Sequence, residues 1–176
     1  MKDYFIRILL FAGICFSMAN CAALLKDERR GEGETSAFEA SQNSDAQMRK
    51  NVVREAEKYI GTKYKYAGES PQGFDCSGFT QHVVRKFDIP LSRTSQSQEK
   101  EGKTIFAAQA RPGDLVFFRR TKGGSVFHVG LIIRNDRDGL TIIHSTSSRG
   151  VVVDKLAENS YWRTKIPSFR DVISGK

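Results

Sequence analysis

Gly73-Phe74-Asp75-Cys76-Ser77-Gly78-Phe79, written GFDCSGF, holds the only cysteine beyond residue 21. The thiol stands just before apolar residues that recur at helical spacing, Phe79, Val83, Val84 and Phe87, with Pro90 beyond them. This pattern predicts a helix from Cys76 to about Phe87, capped by Asp75 or Ser77. A thiol at a helix N-terminus lies at the positive end of the dipole, beside unpaired backbone N–H groups; both favour a thiolate and can hold an oxyanion. An isolated cysteine is also an ordinary small core residue, so the rest of the chain has to decide.

Upstream, Val52, Val53, Ala56, Tyr59 and Ile60 predict an amphipathic helix over 47–60 with Gly61 as its stop. Downstream, Arg93 to Glu101 reads as a short helix capped by Ser92 or Thr94 and closed by Gly102. His82 falls in the middle of the cysteine helix and reads as structural. The period then changes. Leu115–Phe118, Val126–Ile133, Leu140–His144 and Val151–Val153 are short β-branched or aromatic runs separated by Gly, Asp, Asn and Ser. Helices first and strands later describe an α+β domain with helices packed on one side of an antiparallel sheet.

Two of the three histidines fall on these strands. His128 precedes Val129-Gly130, and His144 ends the run Thr141-Ile142-Ile143-His144. A turn centred on Asp136 would set the two imidazoles directly opposite each other on one face, with Cβ atoms about 4.5–5.5 Å apart. That is the arrangement of a histidine base with an orienting partner, although two packed histidines would give the same pattern. The pair gains meaning from the Asp-Cys-Ser-Gly context.

The amino-terminal third narrows the setting. Lys2 and Arg7 flank an uncharged run, Ile8 to Leu25, that reads as an export signal. It reaches Met18-Ala19-Asn20-Cys21, which resembles a bacterial lipobox with Cys21 as the lipidated residue, although Asn20 and Met18 depart from the usual Gly, Ala or Ser and Leu. At 18 residues the run also stands at the edge of membrane-spanning length, so an uncleaved anchor and simple secretion are the competing readings. All three place the remainder outside the cytoplasm, where Cys76 would be an unpaired thiol. Residues 26–46 are polar and rich in Gly, Glu and Ser, so 22–46 reads as a linker to a domain over 47–176. Lys and Arg number 28 against 20 Asp and Glu, a net charge of +8 that attracts an anionic partner. No basic run, zinc-ligand spacing or RNA-binding aromatic signature points to nucleic acid.

Taken together, Gly61 to Gly68 (GTKYKYAG), GFDCSGF, LSRTS with Gln98, ARPGDLVFF, HVGLII and IIHSTSS resemble, in order, the motifs of the NlpC/P60 family of papain-like cysteine peptidases, over about residues 48–170. The resemblance implies a papain-like α+β fold with Cys76 as nucleophile, His128 as base and His144 as its orienting partner. It implies that Tyr64 helps bind substrate or steady the oxyanion, and that Asp75 and Ser77 line the groove. Arg93 falls on a family position that is structural or substrate-facing. One departure is Ala67, where the family commonly has Gly. The implied activity is hydrolysis of stem peptides or peptide crosslinks in bacterial peptidoglycan, by a monomer that needs no metal and no cofactor. The lipobox-like start resembles that of the family's cell-wall lipoproteins, anchored in the envelope on the periplasmic side of the outer membrane. An amidase or acyl transferase using the same thiol, and a wall-binding module whose triad does not turn over, are the alternative functions.

Overall fold

The computed structural model describes residues 39–174. The export signal, Cys21 and most of the expected linker lie outside the described residues. Residues 39–57 are helical (α1), and a compact unit begins at Asp45. The polar stretch 39–46, read as linker, is therefore helical. Its residues are exposed or partly so, and a helix turned to water shows no apolar period.

The cysteine helix, α2, spans Cys76–Arg85, two residues shorter than its apolar pattern suggests. Asp75 caps it, accepting from the Gly78 N–H at 2.7 Å. A short hairpin of β1 (Glu69–Ser70) and β2 (Gly73–Phe74) leads into this cap. The close approach explains Gly78: a Cβ there would sit 2.1 Å from the Gly68 carbonyl oxygen. Ala67, the departure from the family pattern, has φ 55°. This is the left-handed region where a Cβ costs about 1 kcal/mol or more, which is why glycine suits the position. The helix expected over Arg93–Glu101 is only one turn, α3 (Ser95–Gln98), capped by Thr94 and not by Ser92. The Ser92 hydroxyl is taken instead by Glu101.

Six antiparallel strands form the sheet, in the order β3 (Lys103–Ile105), β8 (Ile166–Asp171), β4 (Leu115–Arg119), β5 (Val126–Asp136), β6 (Gly139–Thr146) and β7 (Gly150–Lys155). The four expected strands are β4 to β7. The others, β3 and β8, lack a continuous apolar run and are specified by pairing with each other and with β4. On one face Leu115, Phe117, Val129, Leu131, Ile143 and Val151 pack with Phe79, Val83 and Val84 of α2 and with Val52 and Ala56 of α1. The other face is covered as well, contrary to the expected one-sided arrangement. There Val116, Phe118, Ile132, Ile142 and Phe169 pack with Trp162 of the short helix α4 (Ser160–Arg163). Two covered faces account for the uninterrupted apolar run of β4.

Arg49 ties α1 to the ends of two strands. Its guanidinium reaches Asp114 at 2.6 Å, Asp171 at 2.8 Å and the Pro112 carbonyl at 3.1 Å, and its Nε reaches Asp45 at 3.1 Å. Nothing local in the sequence marks these residues as partners.

Candidate active site

The β5–β6 hairpin differs from the expected register in an instructive way. Its turn is the two-residue Arg137-Asp138, between the paired Asp136 and Gly139. Continued regularly, that register would oppose His144 to Leu131 and send the two histidines to opposite faces. A bulge at Ile133 inserts one residue, and beyond it Leu131 pairs with Ile143. His144 then lies across from Gly130, with His128 two residues further on the same face. The histidines share a face, as expected, but are diagonal neighbours and not a direct pair.

Gly130 makes the diagonal contact possible. A Cβ there would lie 3.0 Å from Ile142 Cδ1 and 3.4 Å from His144 Cβ. With no side chain in between, His128 Nε2 meets His144 Nδ1 at 2.9 Å. The relay continues in the same sense to β7. His144 pairs directly with Val152, and Asp154 sits two residues on, with its Oδ2 2.9 Å from His144 Nε2. Arg149, from the β6–β7 turn, binds both Asp154 oxygens, at 3.1 and 2.5 Å.

Cys76 and His128 line one cleft of about 430 Å³ with Tyr64, Arg120, Phe127, Ser145 to Arg149, Asn159, Tyr161 and Trp162. Trp162 lies over the His128 ring with centroids 4.5 Å apart and an interplanar angle of 29°. It is delivered by α4, whose cap Asn159 accepts from the N–H groups of Tyr161 and Trp162. Trp162 thus screens the imidazole from solvent and limits its rotation.

Burial pushes the Cys76 thiol up, and the Asp75 carboxylate adds to this; the backbone at Val129 and Ser77 opposes it without reversing it. Burial thus works against the pull toward a thiolate expected at a helix N-terminus. Burial holds His128 well below the usual imidazole range, helped by the His144 charge and opposed by Asp154. Burial likewise lowers His144, against its hydrogen bond to Asp154. Both directions favour the neutral thiol and the neutral imidazole, a pair that calls for proton transfer during a reaction. Burial also raises the Tyr64 phenol, reinforced by the neighbouring Cys76 and Asp75. The cleft has side-chain and backbone donors but, among the described residues, no cluster that could hold a metal ion.

Asp75, Ser77 and Arg93 come together, but as a brace at the start of α2 outside the cleft lining. Arg93 binds both Asp75 oxygens at 3.0 and 2.6 Å and the Ser77 hydroxyl at 3.1 Å, while Ser77 donates to Asp75 at 3.2 Å. His82 is a structural residue, 3.0 Å from the Tyr59 hydroxyl. Asp154, Arg149 and Trp162 escape a sequence reading. Asp154 follows three valines as an ordinary exposed strand residue would, and only the chain's lone Trp, behind an Asn cap, offers a signal.

Comparison with known proteins gives one answer. The model of the NlpC/P60 family matches residues 61–171. The Escherichia coli K12 murein DD-endopeptidase MepS/murein LD-carboxypeptidase is 33% identical over 177 aligned residues, covering 96% of this chain and 90% of the relative. The Bacillus subtilis bifunctional muramidase/DL-endopeptidase CwlT is 38% identical over 67% of this chain and 35% of its own length. A solved NlpC/P60 family protein from Bacillus cereus superposes with a TM-score of 0.64 at 30% identity, over 71% of this chain and 40% of that one. With a cysteine at a helix N-terminus sharing a cleft with one histidine, itself bonded to a second buried one, on an α+β papain-like fold, the chain belongs to the NlpC/P60 family.

Proposed function

We propose that this protein is a cysteine endopeptidase that hydrolyses the stem peptides or peptide crosslinks of bacterial cell-wall peptidoglycan, with Cys76 as nucleophile and His128 as base. The observation that carries this reading is the cleft shared by Cys76 and His128, with the second histidine bonded behind the first. Because His128 Nε2 is engaged by His144, its Nδ1 is the nitrogen left to take the thiol proton. The thiolate attacks the scissile carbonyl carbon, and backbone N–H groups at the start of α2, with the Tyr64 hydroxyl, meet the developing oxyanion. The His128 imidazolium then protonates the leaving amine, and a water deprotonated by His128 releases the thioester. Relatives named as a murein DD-endopeptidase and a DL-endopeptidase support peptidoglycan peptides as the substrate. The Asp75–Ser77–Arg93 brace positions the nucleophile helix and lies where a charged peptide terminus could reach it.

The test is incubation with purified muropeptides and mass spectrometry of the products. Cleavage of an amide bond is expected, with the fragment masses identifying it, and stoichiometric alkylation of Cys76 should abolish it. Binding without cleavage would instead favour an inert wall-binding module.

The same proposal places the enzyme at the cell envelope, cut before Cys21 and lipidated on it, since a charged start, an apolar run and Met18-Ala19-Asn20-Cys21 occur in that order. Several acyl chains on one cysteine hold a protein stably at a bilayer, where a single chain does not. Metabolic labelling with a clickable fatty acid is expected to mark the wild type and not Cys21→Ser. An unlabelled wild type at the mass of the uncut chain would make Ile8 to Leu25 a membrane anchor.

A further inference from the structure

The base and its partner have two possible proton arrangements, and only one allows catalysis. His144 is fully buried, so both ring nitrogens need partners, and it has them: His128 on one side, Asp154 on the other. An ionised carboxylate can only accept a hydrogen bond. Asp154 therefore obliges His144 to carry its proton on Nε2, which leaves Nδ1 bare. A bare Nδ1 can only accept, so the His128 proton must sit on Nε2, and His128 Nδ1 keeps the lone pair that a general base requires. The opposite tautomers of both histidines would reverse the bond between them, cost His144 its bond to the Asp154 carboxylate and leave His128 with an N–H where the base needs a lone pair. Among the described residues, no other polar group bonds the His128 ring; its remaining neighbours are Trp162, Phe118 and Phe127.

We propose that Asp154, held in place by Arg149, is a positioning residue that sets the tautomers of both histidines through a relay running diagonally across β5, β6 and β7. The inference rests on the reading of Cys76 and His128 as nucleophile and base. Arg149 matters because a protonated Asp154 could donate and would lose its authority over His144. The structure guards against this: burial would raise the Asp154 carboxyl, but hydrogen bonds from His144 and Arg149 outweigh it and hold it well below the usual carboxylate range. When His128 takes the thiol proton, the same two hydrogen bonds carry the imidazolium's charge toward a carboxylate, so the benefit appears in the transition state.

Asp154→Asn in the full-length chain is the test. Its amide can donate to His144 Nε2 and so favour the reversed tautomers. Turnover on muropeptides is expected to fall about 100-fold or more with KM within about threefold, and Asp154→Glu should restore part of it. A second readout is the pH dependence of Cys76 alkylation by iodoacetamide, followed on the Cys76 peptide by mass spectrometry. Its midpoint should move down by about one pH unit or more in Asp154→Asn, because an N–H at His128 Nδ1 and the loss of a nearby negative charge both favour the thiolate. The other charged or titratable groups acting on Cys76, namely Tyr64, Asp75 and Arg93, are unchanged in that variant.

A folded Asp154→Asn with turnover within about threefold of wild type and an unmoved midpoint would overturn the relay and leave the peptidase reading intact. A wild type that cleaves no muropeptide, but whose midpoint moves on substitution, would retain the relay and overturn the substrate. If circular dichroism shows Asp154→Asn unfolded, Asp154→Glu decides: it should lower turnover with little change in KM and shift the midpoint in the same direction by less, and wild-type values for both would overturn the proposal.

Discussion

Cys76→Ala is expected to have no measurable peptidase activity, and His128→Ala to turn over about 10²–10⁴-fold more slowly than wild type. The geometry explains why the second loss is so large. Burial raises the thiol and lowers the imidazole, both against a preformed ion pair, so under the proposed mechanism each turnover needs His128 to accept the proton. His144 should be more tolerant, because its task is to accept a hydrogen bond from His128 and donate one to Asp154. In His144→Asn the side-chain oxygen can occupy the place of Nδ1 and accept from His128 Nε2, so that variant should keep more turnover than His144→Ala. Steady-state rates on one purified muropeptide would rank the four variants. If His144→Ala proved slower than His128→Ala, the roles of base and partner would have to be exchanged.

Arg49→Ala should cost about 3–5 kcal/mol of stability at neutral pH, the usual penalty for leaving buried carboxylates without their cation. Asp114 and Asp171 are both buried against this guanidinium, and Arg111 reaches Asp171 but only its own backbone N–H reaches Asp114. In a domain whose net stability is about 5–15 kcal/mol, that loss is a large share and should lower the melting temperature by roughly 10–20 °C.

The defect should also depend on pH, with a definite sign. Burial pushes the Asp114 carboxyl up to about 6, from an ordinary 3.8. A carboxyl whose folded value exceeds its unfolded value binds more protons when folded, so it costs stability as pH rises through that window. Removing Arg49 raises the folded value further. The gap between wild type and Arg49→Ala should therefore narrow as pH falls from 8 to 5, read from urea or thermal unfolding at each pH. Asp171 works in the opposite direction: the Ser174 and Ile173 N–H groups and Arg49 outweigh its burial and hold it low. Its contribution is present above the ordinary carboxylate value and is lost only in stronger acid. A gap that widened between pH 8 and 5 would show that Asp114 is not the group left unpaired.

The amino-acid sequence by itself determined the parts of this protein that obey local rules. The apolar spacing after Cys76 marked α2, and Asp75 is its cap as a short acceptor before a helix should be. The β-branched runs marked β4 to β7 because both their faces or alternate residues are buried, and the pairing of a helix-start cysteine with two strand histidines pointed to nucleophile and base before any coordinates. The tertiary structure decided what depends on partners distant in sequence. β3 and β8 are strands because β8 bonds to both β3 and β4, not because of their own composition. The diagonal meeting of His128 and His144 depends on the bulge at Ile133, which changes the face of every later residue without leaving a mark on hydropathy. Asp154 and Arg149 are an unremarkable acid and base in the sequence, and Trp162 lies 34 residues from the histidine it covers. Local preference is set by a residue and its near neighbours. The chain of contacts from His128 through His144 to Asp154 is set by which side chains three hydrogen-bonded strands bring within 3 Å of one another.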